Sequence, residues 1–222
     1  MTALSRSQTR PLILATLLAV SGATLGCDVG GTRGEGAIKS ETRQTEAFTR
    51  IESGAGIHVS VGIGAASPLE VKAQANILPL IVTEVMDGTL RIRGSRSFTS
   101  SETVQVILTT PAVDRIVLTG SSRGTIDGLA SDAFDAEVTG GSVLTATGTT
   151  ESISLDASGG SVAQLDGLVA TMVDVDISGG SRAEVRATDL VKGSATGGSR
   201  VTVAGGAMTT VDTNGGSQVE RR

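Results

Sequence analysis

Thr139-Gly-Gly-Ser142-Val-Leu-Thr-Ala-Thr-Gly148-Thr-Thr-Glu-Ser-Ile-Ser-Leu155-Asp-Ala-Ser158-Gly-Gly-Ser161 decides the fold, because it is one full period of a repeat. Its turn recurs as Thr119-Gly-Ser-Ser122, Ser178-Gly-Gly-Ser181, Thr196-Gly-Gly-Ser199 and Asn214-Gly-Gly-Ser217. The final serines are 20, 19, 20, 18 and 18 residues apart. Ahead of each turn the residues alternate. Ile116 and Leu118, Ala136 and Val138, Leu155 and Ala157, Val175 and Ile177 share one parity. Arg115, Asp135 and Glu137, Asp156, Asp174 and Asp176 take the other. Period two with one apolar face is the pattern of a half-buried strand. A second strand follows each turn, with Leu144 and Ala146, Ala163 and Leu165, Ala183 and Val185, Val201 and Val203 facing inward. Gly128, Gly148, Gly167, Ala187 and Gly205 mark a second corner.

Short strands and paired glycines at this spacing predict an all-β fold, a right-handed parallel β-helix-like solenoid with coils of about 18–20 residues. The alternative is a β-sandwich, which would not require the same turn in every period. Composition agrees with a narrow, layered interior. The chain has no Trp or Tyr and only three Phe, so Val, Ile, Leu and Ala must fill the core. No proline follows Pro111, as expected where each coil donates N–H groups to its neighbour.

Working outward, residues 48–111 are less regular and read as the first coils of the same solenoid. Strands are expected at Phe48–Ile51, Ile57–Val61, Leu69–Ala73, Leu90–Arg93 and Val104–Thr109, with a helical turn within Asn76–Val85. The regular repeats then occupy residues 112–222, so 48–222 form one domain. Residues 28–47 are Gly-rich and charged without an apolar period, and are expected to be a flexible tether.

Residues 1–27 read as an export signal. Arg6 and Arg10 precede the apolar run Pro11–Val20, which is too short for a membrane span of about 20 residues. Thr24-Leu25-Gly26-Cys27 resembles a bacterial lipobox, which implies lipidation of Cys27 and anchoring of the mature chain to a membrane. Cys27 is the only cysteine, so no internal disulfide is possible and lipidation would remove a free thiol. The expected location is the cell envelope, periplasmic or surface.

Charge excludes nucleic acid as a partner. The net charge of −5 becomes −7 once residues 1–27 and their two arginines are set aside, and no basic stripe with aromatics is present. Catalytic chemistry is equally sparse. His58 is the single histidine and lies on the polar parity of Ile57–Val61, so it reads as a surface residue; a triad or zinc site would have to use it. The Gly-Ser pairs lack the strand-to-helix context of a nucleophile elbow. A β-helical polysaccharide-active enzyme is the enzyme alternative, but sugar sites usually carry aromatic platforms and three Phe offer few. No cofactor is implied.

The acidic residues carry one further reading. Five positions before each aligned serine come Val117, Glu137, Asp156, Asp176, Ser194 and Asp212. Parallel stacking would place the carboxylates about 4.8 Å apart. With Asp135 and Asp174, this face either tolerates its repulsion or accepts calcium or a cationic partner.

Taken together, Phe48-Thr-Arg-Ile51, Gly54-Ala-Gly-Ile-His-Val-Ser-Val61, Asp87-Gly-Thr-Leu-Arg-Ile92, Val104–Pro111 and the serial Ser-Gly-Gly-Ser turns resemble the putative auto-transporter adhesin head domain, or head GIN domain, over about residues 48–219. The resemblance implies an exported β-helical domain, and the family name implies adhesion. It carries over no catalytic residue. The function expected is non-catalytic binding of an envelope polymer or surface protein, or a scaffold; an envelope accessory or sensor domain without a dedicated ligand is the other alternative.

Overall fold

The structure is a computed structural model and describes residues 31–222. The export signal, Cys27 and residues 28–30 lie outside the described residues. The first strands are β1 (Thr32–Arg33), β2 (Ile38–Arg43), β3 (Arg50–Ser53), β4 (His58–Ile63) and β5 (Leu69–Gln74). A 3-10 turn at Leu78–Leu80 leads to β6 (Ile81–Met86), β7 (Thr89–Gly94), β8 (Phe98–Thr99), β9 (Gln105–Thr110) and β10 (Arg115–Leu118). The repeats supply β11 (Arg123–Val138), β12 (Val143–Ala157), β13 (Val162–Ile177), β14 (Arg182–Ala195), β15 (Arg200–Ala204), β16 (Met208–Thr213) and β17 (Gln218–Arg221).

The repeats stack as a parallel β-solenoid. Ile51, Ile116, Ala136, Leu155, Val175, Gly193 and Val211 are successive rungs of one inward ladder. Gly124, Leu144, Ala163, Ala183, Val201 and Val219 form a second on the next face. The inward residues of the middle coils are fully buried. Parallel register throughout the repeats excludes the antiparallel hairpins a sandwich would need.

Coils of unequal length stay in register because the second corner absorbs the difference. The register shifts between Ile126 and Leu129, between Thr145 and Thr147, between Leu165 and Val169 and again between Ala170 and Met172, while the strands beyond these points pair residue for residue. The extra residues are taken up there with the inward side chains kept in place: Ala146, Leu165 and Leu168 at these shifts stay fully buried.

The Gly-Gly turn has a double cause. In Ser158–Ser161 both glycines have positive φ, +68° and +76°, the left-handed pair of a type I′ turn. The serine that ends each turn points inward, and those of the middle coils are buried. The Ser122, Ser181 and Ser199 hydroxyls donate to the carbonyls three residues back at 2.7–2.8 Å. These serines therefore supply the partner that buried turn carbonyls require.

The N-terminal part departs from expectation in two ways. Residues 38–43 belong to the segment read as a flexible tether, yet they form β2, antiparallel to β5. The reason is that β5 presents an edge that is otherwise unpaired on that side, and an edge recruits any strand that can hydrogen-bond to it. β2 buries almost nothing, so no apolar period marks it. β6, which the sequence reading did not assign as a strand, pairs antiparallel with β7. The solenoid thus starts with antiparallel strands and continues as parallel coils.

Candidate functional site

The polar parity of β10 to β14 forms an outward face. Arg91, Glu52, Val117, Glu137, Asp156, Asp176, Ser194 and Asp212 are consecutive rungs of one outward ladder. Beside it run Arg50, Arg115, Asp135, Ser154, Asp174 and Lys192. All five carboxylates singled out from the sequence, Asp135, Glu137, Asp156, Asp174 and Asp176, therefore share one face.

Cations meet this face at both ends. The Arg115 guanidinium reaches Asp135 through Nη1 and donates through Nη2 to Glu137 Oε2 at 2.9 Å. Lys192 Nζ lies 3.2 Å from Asp174 Oδ2, and Ser194 Oγ donates to Asp176 Oδ1 at 2.8 Å. Asp156, in the middle, has no ion pair among the described residues. Partial burial pushes its carboxyl above the usual range, and the charges of Asp176, Asp135 and Glu137 push the same way against a smaller opposing pull from Arg115. Among the described residues, no three His, Cys, Asp or Glu side chains converge to hold a metal ion. The spacing found for the calcium reading is thus a line of carboxylates rather than a cage.

Two cavities adjoin the first coils. One of about 560 Å³ opens beside the acidic face, lined by Asp114, Ala130–Asp135 and Ser152 among others. The other, of about 480 Å³, lies between residues 44–49, 66–68 and 109–112. Its walls include Ala47, Phe48, Pro68 and Pro111, and the buried Thr110 hydroxyl is directed at the Phe48 carbonyl, 3.4 Å away. Neither was legible in the sequence, because each joins segments far apart in the chain.

His58 lies outward, stacked between Gln105 and Arg123. Burial, with the Arg123 charge as a smaller contribution, lowers its pKa, so its neutral form is favoured. No second histidine exists to join it in a metal site.

With this geometry in hand, the comparisons place the chain. Residues 47–207 match the family described as putative auto-transporter adhesin, head GIN domain, and the chain belongs to that family. A putative adhesin from Bacteroides fragilis shares the fold, with a TM-score of 0.68 at 17% identity, covering 86% of this chain and 100% of that one. A putative adhesin from Parabacteroides merdae has a TM-score of 0.57 at 13% identity, covering 86% and 99% respectively. A putative lipid binding protein from Parabacteroides distasonis has a TM-score of 0.53 at 13% identity, covering 87% and 100%. No curated protein matches in sequence.

Proposed function

We propose that this chain is a non-catalytic binding domain of the bacterial cell envelope, held at a membrane by a lipid on Cys27, whose outward ladders dock an envelope polymer or a surface protein. The observation that carries the reading is the register of those ladders. Equivalent side chains repeat along the axis about every 4.8 Å, so one contact made to a repetitive partner can be made again on the next coil. The acidic face supports it, because its middle carboxylate is left without an ion pair and is available to hydroxyl or cationic groups. The family name points the same way. Catalysis finds less support: the carboxylates stand on an open sheet face, and the single histidine is stacked between Gln105 and Arg123 rather than against a carboxylate.

The test is retention. The purified mature chain is immobilised beside an inert β-helix control and challenged with whole cells, peptidoglycan and envelope extracts, with mass-spectrometric identification of what stays. A partner retained by the chain and lost on neutralising Asp156 and Asp176 supports the reading. Retention no better than the control would leave a spacer or scaffold as the function.

A further inference from the structure

A third cavity, of about 300 Å³, lies on the opposite side of the turn from the acidic face, lined by Ala55, Gly56, His58, Phe98, Ser100–Val104. It brings together His58, Phe98 and a run of polar residues. His58 is the only histidine. Phe48 and Phe134 belong to the core, whereas Phe98 is half-buried and is the one phenylalanine with a face left over. Its ring is fixed: a Cβ on Gly94 would come within 3.0 Å of Phe98 Cε1, so the ring lies against bare backbone, and β8 is held by β1.

The backbone around the cavity is specialised as well. Ala55 holds φ at +61°, in a turn where most of the repeats use glycine. Non-glycine residues persist in that region only where their surroundings hold them, and such positions cluster at ligand sites. The lining continues through a hydroxyl-rich loop, Ser100–Val104. Ser100 Oγ lies 2.8 Å from Gln74 Oε1 and accepts from Glu102 N at 3.2 Å, which pins the loop. Ser101, Glu102 and Thr103 line the cavity as exposed residues, so their polar groups are open to solvent and to a ligand.

We propose that this cavity binds a single pyranose ring of a carbohydrate. The volume is at the small end of ligand sites, enough for one ring and not for an extended chain. Its lining includes the Phe98 ring and the His58 imidazole, whose neutral form is favoured, against which the C–H face of a sugar can pack. The Ser100–Val104 loop offers hydroxyls and one carboxylate to the sugar's hydroxyl groups. An anionic ligand would meet Glu102, the one charged group in the lining. The aromatic platform that three phenylalanines made improbable in the sequence is thus assembled by the fold from residues 40 positions apart.

This inference rests on the reading of the chain as a binding domain and adds the ligand class. A lone histidine gives the test, since its imidazole protons are a single reporter needing no assignment. Proton NMR of the purified full chain is followed while methyl glycosides of glucose, galactose and mannose, and N-acetylglucosamine, are added to millimolar concentration. A saturable shift of the His58 signals with at least one sugar is expected. Phe98→Leu and, separately, Glu102→Gln should weaken that binding about two- to tenfold, the range such contacts contribute, with an unchanged melting temperature for Glu102→Gln. His58 signals that stay fixed with every sugar would overturn the inference. If the chain still retained an envelope partner in the binding assay, only this pocket would fall. Equal affinity in the wild type and both variants would also overturn it.

Discussion

Gly159 and Gly160 occupy the same turn and both have positive φ, yet the structure asks different things of them. A Cβ on Gly160 would meet nothing within 4 Å, so Gly160→Ala costs only the left-handed backbone, about 1–2 kcal/mol. Part of this is offset by about 0.4–1 kcal/mol because alanine restricts the unfolded chain. The net loss is about 1 kcal/mol. A Cβ on Gly159 would stand 3.2 Å from Gly140 N and 3.5 Å from Gly140 Cα in the coil beneath. The contact is with backbone, so a coil must move, and overpacking of this kind adds about 1–3 kcal/mol. Gly159→Ala should therefore lose about 2–4 kcal/mol. For a domain of this size each kcal/mol is worth about 2–4 °C, so thermal unfolding followed by circular dichroism should show Gly160→Ala a few degrees below wild type. Gly159→Ala should fall at least twice as far. Ser121 marks the tolerance of the second position, since it sits there with φ of +64°. Equal losses, or a larger loss at Gly160, would refute the claim that the first glycine is demanded by the close approach of successive coils.

Further outcomes follow from the same ladders. Ile177 is fully buried between Ala157 and Ala195, so Ile177→Asp should cost several kcal/mol, whereas Asp176→Asn on the outward parity should change the unfolding midpoint little. Asp156 has a raised pKa in the fold, so its ionised form opposes folding; its contribution is complete below the unfolded value of 3.8 and is lost as pH rises through the folded value. Asp156→Asn should then raise the midpoint at neutral pH by well under 1 kcal/mol, given its exposure, and this gain should vanish below about pH 3.8. Calcium at matched ionic strength should leave the midpoint unchanged, because the carboxylates form a line and not a cage; a calcium-dependent rise lost in Asp156→Asn, Asp176→Asn would show a cation site. Mass spectrometry of the exported chain should find a lipidated Cys27 at its N-terminus, and Cys27→Ser should release the protein from the membrane fraction.

The period-two alternation and the serial Gly-Gly turns determined, by themselves, which side chains face in and that the coils stack. Those are local properties: one-residue spacing sets the face, and positive φ asks for glycine wherever it occurs. The face of the five carboxylates was legible for the same reason, since aligning the turns aligns the residues before them. Tertiary structure decided what local pattern cannot encode. β2 is a strand only because β5 offers it an edge, and its exposed residues carry no signal. The ends of the acidic ladder are met by Arg115 and Lys192, which requires the rung-to-rung register that is restored after each shift near the second corner. His58 and Phe98 line one cavity only when β4 and β8 are brought to one corner of the solenoid, a proximity that depends on how the first irregular coils close.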